Sequence, residues 1–120
     1  MKLFDSHAHL DDEKFDEDRD TIIEEIHKSD VEKFVSAGYS LEGSKKAIEL
    51  SQKYDFIYAT VGISPNDIPQ TEEELWKQLA EIEKIVEKNK EKICAIGEIG
   101  LDYYWNTDNK ELQKRAFIEQ

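Results

Sequence analysis

One cysteine, Cys94, is all the chain has, so it can form no internal disulfide and no paired-thiolate zinc site. Lying in the apolar run Ile93–Ile96, that thiol is expected to be buried and inert. No apolar stretch approaches the ~20 residues of a membrane span, and the first residues lack a basic-then-apolar export signal. The expectation is a soluble protein of the reducing cytoplasm with no membrane partner. There is no Gly-rich phosphate loop, no Gly-x-Ser-x-Gly elbow, no internal repeat and no basic patch. Positive charge is scarce: 16 Lys and Arg face 28 Asp and Glu, for a net charge of -12. That balance argues against non-specific docking on nucleic acid or anionic lipid. It does not exclude a nuclease whose site is lined by cations.

What is present is an alternation within one compact unit of 120 residues. Apolar residues make up 38% and charged residues 37%, enough for a core under a heavily charged surface. Strands are expected at Lys2–Asp5, Lys33–Gly38, Asp55–Gly62 and Ile93–Glu98. The segment Asp11–Lys28 carries Phe15, Ile22, Ile23 and Ile26 at helical spacing, and its acidic run Asp11–Asp20 reads as a solvated face. Leu41–Tyr54 reads as a helix with Ala47, Ile48 and Leu50 inward. Thr71–Asn89 is the clearest helix, with Leu75, Leu79, Ile82 and Val86 in one stripe and a Thr71/Glu74 capping box. Asn109–Gln120 begins another, with Leu112, Ala116 and Phe117 on one side. Strand and helix in alternation, with near-continuous apolar strands, imply a parallel sheet covered by helices. Four strands with intervening helices are either a small open α/β sheet or half of an eight-stranded βα barrel. The half barrel is the favoured reading, and it would leave strands one and four with open edges.

In both architectures ligands bind where strands end. His7 and His9 close the first strand, spaced so that both side chains share one face. Ser64-Pro65 follows the third strand and Glu98 closes the fourth. Two imidazoles and a carboxylate suit zinc, manganese or magnesium, an open arrangement able to activate water for attack on phosphoryl or carbonyl centres. Tyr103, Tyr104 and Trp105 lie just beyond Glu98; they either stack on a base or cover the barrel top. Asp5 and Asp102 are candidate partners of ligands. His27 reads as a solvated, helix-end residue.

Phe4-Asp5-Ser6-His7-Ala8-His9-Leu10-Asp11, Val61-Gly62-Ile63-Ser64-Pro65 and Gly97-Glu98-Ile99-Gly100-Leu101-Asp102-Tyr103-Tyr104 together resemble the ordered signatures of the TatD family of metal-dependent deoxyribonucleases. The resemblance runs the length of the chain. It implies a (β/α) barrel of the metal-dependent hydrolase (TIM-barrel) type, with residues 1–120 as its N-terminal half, the first four βα units. It further implies two divalent ions per complete site, held here by His7, His9 and a bridging, catalytic Glu98, and hydrolysis of DNA phosphodiester bonds. Ser64 and Tyr103 fall at substrate-binding positions. Ser64 replaces the histidine of the family's Gly-x-His-Pro turn, and a hydroxyl cannot shuttle protons near neutral pH. The family's later ligands, two histidines and an aspartate, lie beyond the chain's last residue. Weak metal binding, little turnover and self-association through the open edges are therefore expected. Two other readings are a related amidohydrolase acting on a C–N or ester bond, and a non-catalytic self-associating fragment.

Overall fold

A computed structural model describes residues 1–120. Four strands, β1 (Leu3–Ala8), β2 (Val31–Ala37), β3 (Ile57–Val61) and β4 (Ile93–Ile96), alternate with four helices. The helices are α1 (Arg19–Lys28), α2 (Leu41–Lys53), α3 (Glu72–Lys88) and α4 (Lys110–Glu119). The sheet order is β1-β2-β3-β4 and every pairing is parallel.

Side-chain parity separates a barrel from a sheet with helices on both faces. Ile57, Ala59 and Val61 of β3 are buried among residues of the flanking helices. Tyr58 and Thr60, pointing the other way, are only partly covered. On that opposite face the Lys33 and Lys92 ammoniums lie 5.5 and 4.9 Å from the centre of the Tyr58 ring. Helices therefore pack on one face and the other is left as an inner surface, the arrangement of half a barrel. Two apolar clusters fill the helix side. One joins β3 to α2, α3 and α4 through Ala59, Val61, Ile48, Leu75 and Ala116. The other joins β2 and β3 to α1 and α2 through Phe34, Ile57, Ile23 and Leu50.

Helix starts follow the side chains that can cap them. Ser40 Oγ accepts from the Gly43 amide at 2.9 Å and Thr71 Oγ1 from the Glu74 amide at 3.3 Å. The Thr71/Glu74 box is half formed, because the Glu74 carboxylate accepts from Gln78 instead. The acidic segment departs from expectation. α1 begins only at Arg19, and residues before it form a loop with one short turn, Glu13–Phe15, capped by Asp12. Aspartates favour such local side-chain-to-backbone bonds over helix interiors. At the other end, α4 buries Ala116 and half-buries Leu112, but Phe117 is 44% exposed. At 100° per residue Phe117 stands about 140° around the helix from Leu112, outside the stripe. Cys94 also departs from expectation: it is exposed, its Sγ directed to the Ala59 carbonyl at 3.4 Å. β4 is an edge strand with an uncovered inner face, so an apolar run there is not a buried run. β1, the other edge, exposes Leu3 and Phe4. His27 sits in the last turn of α1, as expected, with its ring stacked on Phe56 at 3.7 Å.

Asp20 ties α1 to α2, accepting from Lys53 Nζ at 2.6 Å and from the Tyr54 hydroxyl at 2.5 Å. The Lys53 and Tyr54 bonds hold its carboxyl below the usual range. Burial first, and the Asp20 bond second, push the Tyr54 phenol up to about 12. A depressed carboxyl stabilises the fold above its unfolded pKa and loses that contribution as pH falls through the folded value. Thermal midpoints of wild type and Asp20→Asn should thus differ most near neutrality. The difference should close below about pH 4, where carboxylates protonate.

Candidate metal centre at the strand ends

The carboxyl ends of the four strands meet on one rim, and three backbone hydrogen bonds arrange them. The Gly38 amide, just past β2, donates to the Thr60 carbonyl at 3.0 Å, and the Gly97 amide, just past β4, donates to Val61 at 3.0 Å. The Glu98 amide then donates to the Gly38 carbonyl at 2.5 Å, so the chain leaving β4 passes over the end of β3 to reach β2. Gly62 lies beneath that passage. A Cβ there would stand 2.9 Å from the carbonyl carbon and oxygen of Gly97, a distance real Cβ atoms do not adopt. Ser44, buried on α2, holds Gly62 from below, accepting from its amide at 3.0 Å and donating to its carbonyl at 3.2 Å.

This crossing delivers Glu98 to β1. Its Oε1 lies 3.1 Å from His7 Nε2, and His7 Nε2 lies 3.0 Å from His9 Nε2. The two imidazoles meet edge to face, with centroids 4.8 Å apart. One ligand atom from each of His7, His9 and Glu98 falls within 4.8 Å of the other two. Ligands of a tetrahedral ion at ~2.1 Å are spaced ~3.4 Å apart, so the donor set is of the right type and scale for a divalent ion. Asp5 accepts from the His7 backbone amide at 3.0 Å; its contact is with the strand, not the imidazole.

Around the trio runs an acidic cleft lined by Asp11, Asp12, Asp67 and Glu98, with Lys14 its one cation. A phosphodiester brought there alone would meet like charge; a bound cation reverses that. Asp11 is 4% exposed, and neither carboxylate oxygen has a partner; His9 Nδ1 is also buried and unpartnered. Burial pushes the Asp11 carboxyl up. The expectation of a solvated acidic run therefore fails at its first member. The loop folds inward because Arg19 grips its backbone, donating to Leu10 O at 2.6 Å, Asp12 O at 2.9 Å and Asp11 O at 3.1 Å.

Ser64 lines the cleft, buried, its hydroxyl donating to the Asp67 carboxylate and its amide to the Tyr39 carbonyl at 2.7 Å. Tyr103 is not among the cleft residues; its ring carries the Lys110 ammonium at 5.0 Å. Asp102 shapes the loop after β4, accepting from the amides of Tyr104 and Trp105, and Asn66 Nδ2 donates to it at 3.1 Å. The Trp105 amide, then Asn66, hold its carboxyl below the usual range. Sequence reasoning gave no role to Arg19 or Tyr39, and it quoted Asp11 and Gly62 within the signatures without assigning them one at the site. Tyr39 sets its ring edge-on to His9 at 5.6 Å. Tyr39 stands two residues past the end of β2, where the rule that ligands gather at strand ends points to it.

The model of the family described as TatD related DNase matches residues 4–120. A Bacillus subtilis protein named as an uncharacterized metal-dependent hydrolase, YabD, is 43% identical over 98% of this chain and 44% of its own length. The 3'-5' ssDNA/RNA exonuclease TatD of Salmonella typhimurium is 30% identical over the same shares. Crystal structures of YjjV, a TatD homolog from Escherichia coli, and of a TatD family hydrolase from Entamoeba histolytica superpose with TM-scores of 0.83 and 0.81. Their identities are 24% and 28%, and each comparison covers 98% of this chain and 44% of the other. The chain thus spans less than half the length of the relatives it matches.

Gly62→Ala should force the Gly97–Glu98 backbone away from Gly38 and carry the Glu98 carboxylate off His7. Calorimetric titration with manganese or zinc should show affinity lower by about tenfold or more, the scale of lost ligand positioning. Far-ultraviolet circular dichroism should stay unchanged, and an undiminished affinity would refute the role given to Gly62.

Proposed function

The chain belongs to the TatD related DNase family, and from that membership we propose that residues 1–120 are the N-terminal half of a divalent-metal-dependent hydrolase cleaving phosphodiester bonds in DNA. The observation that carries this reading is the convergence of His7, His9 and Glu98 from two edge strands of the sheet. His7, His9 and Glu98 would hold a divalent ion, and a second ion held with the help of Glu98 would complete the site. Zinc, manganese and magnesium all suit this nitrogen-and-oxygen donor set. A divalent ion, when bound, acidifies water at neutral pH and offsets phosphate charge.

The chain's own groups do the remainder. In this reading Glu98, part-exposed at the rim, is the catalytic carboxylate that would accept a proton from the attacking water. Ser64 and Tyr103 are the substrate-contacting residues of this reading: Ser64 lines the cleft with its hydroxyl proton given to Asp67, and Tyr103 lies on the loop after β4, outside the cleft lining. No helix is long and apolar enough to cross a membrane. A lone exposed thiol fits the reducing cytoplasm, where this reading places the protein.

Slow hydrolysis of bis-p-nitrophenyl phosphate is expected with manganese, magnesium or zinc, above the metal-only background and abolished in Glu98→Gln. Preferential cleavage of acyl-amide substrates, or a rate indifferent to Glu98, would overturn the assignment.

The 120-residue chain also pairs with a second copy in this reading, β1 of each against β4 of the other, to close an eight-stranded ring. Support comes from two unpaired strand edges exposing Phe4 (59%) and Ile96 (37%). Light scattering across a concentration series should give twice the chain mass of 14.0 kDa. A monomer at every concentration would reject pairing.

A further inference from the structure

Tyr104 and Trp105 are 80% and 75% exposed, their rings edge to face with centroids 4.7 Å apart. Two large aromatics side by side in water are unfavourable, yet the turn that presents them is firmly built. Asp102 Oδ1 accepts from the amides of Tyr104 at 3.0 Å and Trp105 at 3.2 Å. Gln113, fully buried on α4, clamps the Asp102 backbone from both sides, accepting from its amide at 2.8 Å and donating to its carbonyl at 3.0 Å. The same side-chain NH2 also faces the Asn106 carbonyl at 3.1 Å and Asn109 Oδ1 at 2.7 Å, its two hydrogens shared among three acceptors, closing the far end of the loop. The other Asp102 oxygen is joined to Asn66, a residue of the acidic cleft. The aromatic pair is therefore fixed in position and coupled to the cleft wall.

Resting on the nuclease reading above, we propose that Tyr104 and Trp105 form a stacking platform for an unpaired base of single-stranded nucleic acid at the cleft. Tyr103 is the lesser candidate, because its ring is already engaged by Lys110. Charge favours stacking over a phosphate-tracking groove. The net charge is -12, and on α4 Arg115 is paired with Glu72 and Lys114 with Glu111, which leaves Lys110, lying on the Tyr103 ring, as its one cation without a carboxylate partner. A strand approaching this rim cannot be held chiefly by its phosphates. Stacking is sequence-tolerant, since every base offers a π-face, and the contact itself needs no cation. An edge-to-face pair also leaves ring surface free for an incoming base.

The test uses the 120-residue chain with Trp76→Phe, which leaves Trp105 as its sole indole, in the presence of calcium so that the cleft's negative charge is offset while cleavage is suppressed. A short oligothymidylate should quench Trp105 emission saturably, whereas an abasic oligomer of equal length should not. Tyr104→Ala and, followed by anisotropy of a labelled oligomer, Trp105→Ala should each weaken binding by about tenfold. Trp105→Phe should restore most of the loss, a recovery that general loosening of the loop would not produce. Affinity should change less than about threefold between about 50 and 200 mM salt, unlike a phosphate-driven complex. Equal quenching by the abasic oligomer, a steep salt dependence, or no quenching by thymidylate would each overturn the platform. Phosphoester hydrolysis without quenching would sink the platform and spare the nuclease reading; quenching without hydrolysis would do the reverse.

Discussion

Glu98 reaches the imidazoles because one residue beneath its path has no side chain. Its amide bonds to the Gly38 carbonyl, two strands from its own, and the backbone between crosses the end of β3 at Gly62. Any Cβ at Gly62 would meet the Gly97 carbonyl at 2.9 Å. Ser44 holds the same glycine from the helix side. The trio thus depends on a close backbone approach at the top of the sheet, locked by buried bonds on both sides. Ligands set on rigid strand ends keep their geometry better than ligands on free loops.

Around that crossing the chain concentrates negative charge and leaves part of it unsatisfied. Asp11 is buried with both oxygens unpartnered, and His9 Nδ1 nearby is in the same condition. Buried polar groups without partners are uncommon and disfavoured in a finished structure. Here they gather beside a donor set that suits a cation and line a cleft with a single lysine. The surplus of carboxylates that made general nucleic-acid docking implausible from composition becomes, at the rim, a feature that suits a bound cation.

Much of this was legible beforehand because it is local. The i, i+4, i+7 stripe Leu75–Leu79–Ile82 marked α3 within a residue at each end, and Thr71 marked its start. The β-branched runs located β2, β3 and β4. His7, His9 and Glu98 were legible as strand-end residues, since parallel strands present their carboxyl ends on one side. Failures came where exposure depends on what lies across the sheet. Cys94 sits in an apolar run but on an uncovered edge strand. Asp11 sits in an acidic run but is drawn inward by a loop that Arg19 clamps from eight residues away.

Amino-acid order alone determined the alternation of strand and helix, the parallel sense of the sheet, and which residue types stand at the strand ends. These follow from periodicity, capping and chain connectivity, all short-range properties. Only the tertiary structure decided that helices cover one face, that Gly62 clears a path for Glu98, and that Tyr104 and Trp105 stand in water on a rigid turn. Those outcomes rest on contacts between different elements, such as Asn66 with Asp102, 36 positions apart, and Gly38 with Glu98, 60 apart. Their distances are set by how strands pack side by side, and no pattern within a single segment carries that information.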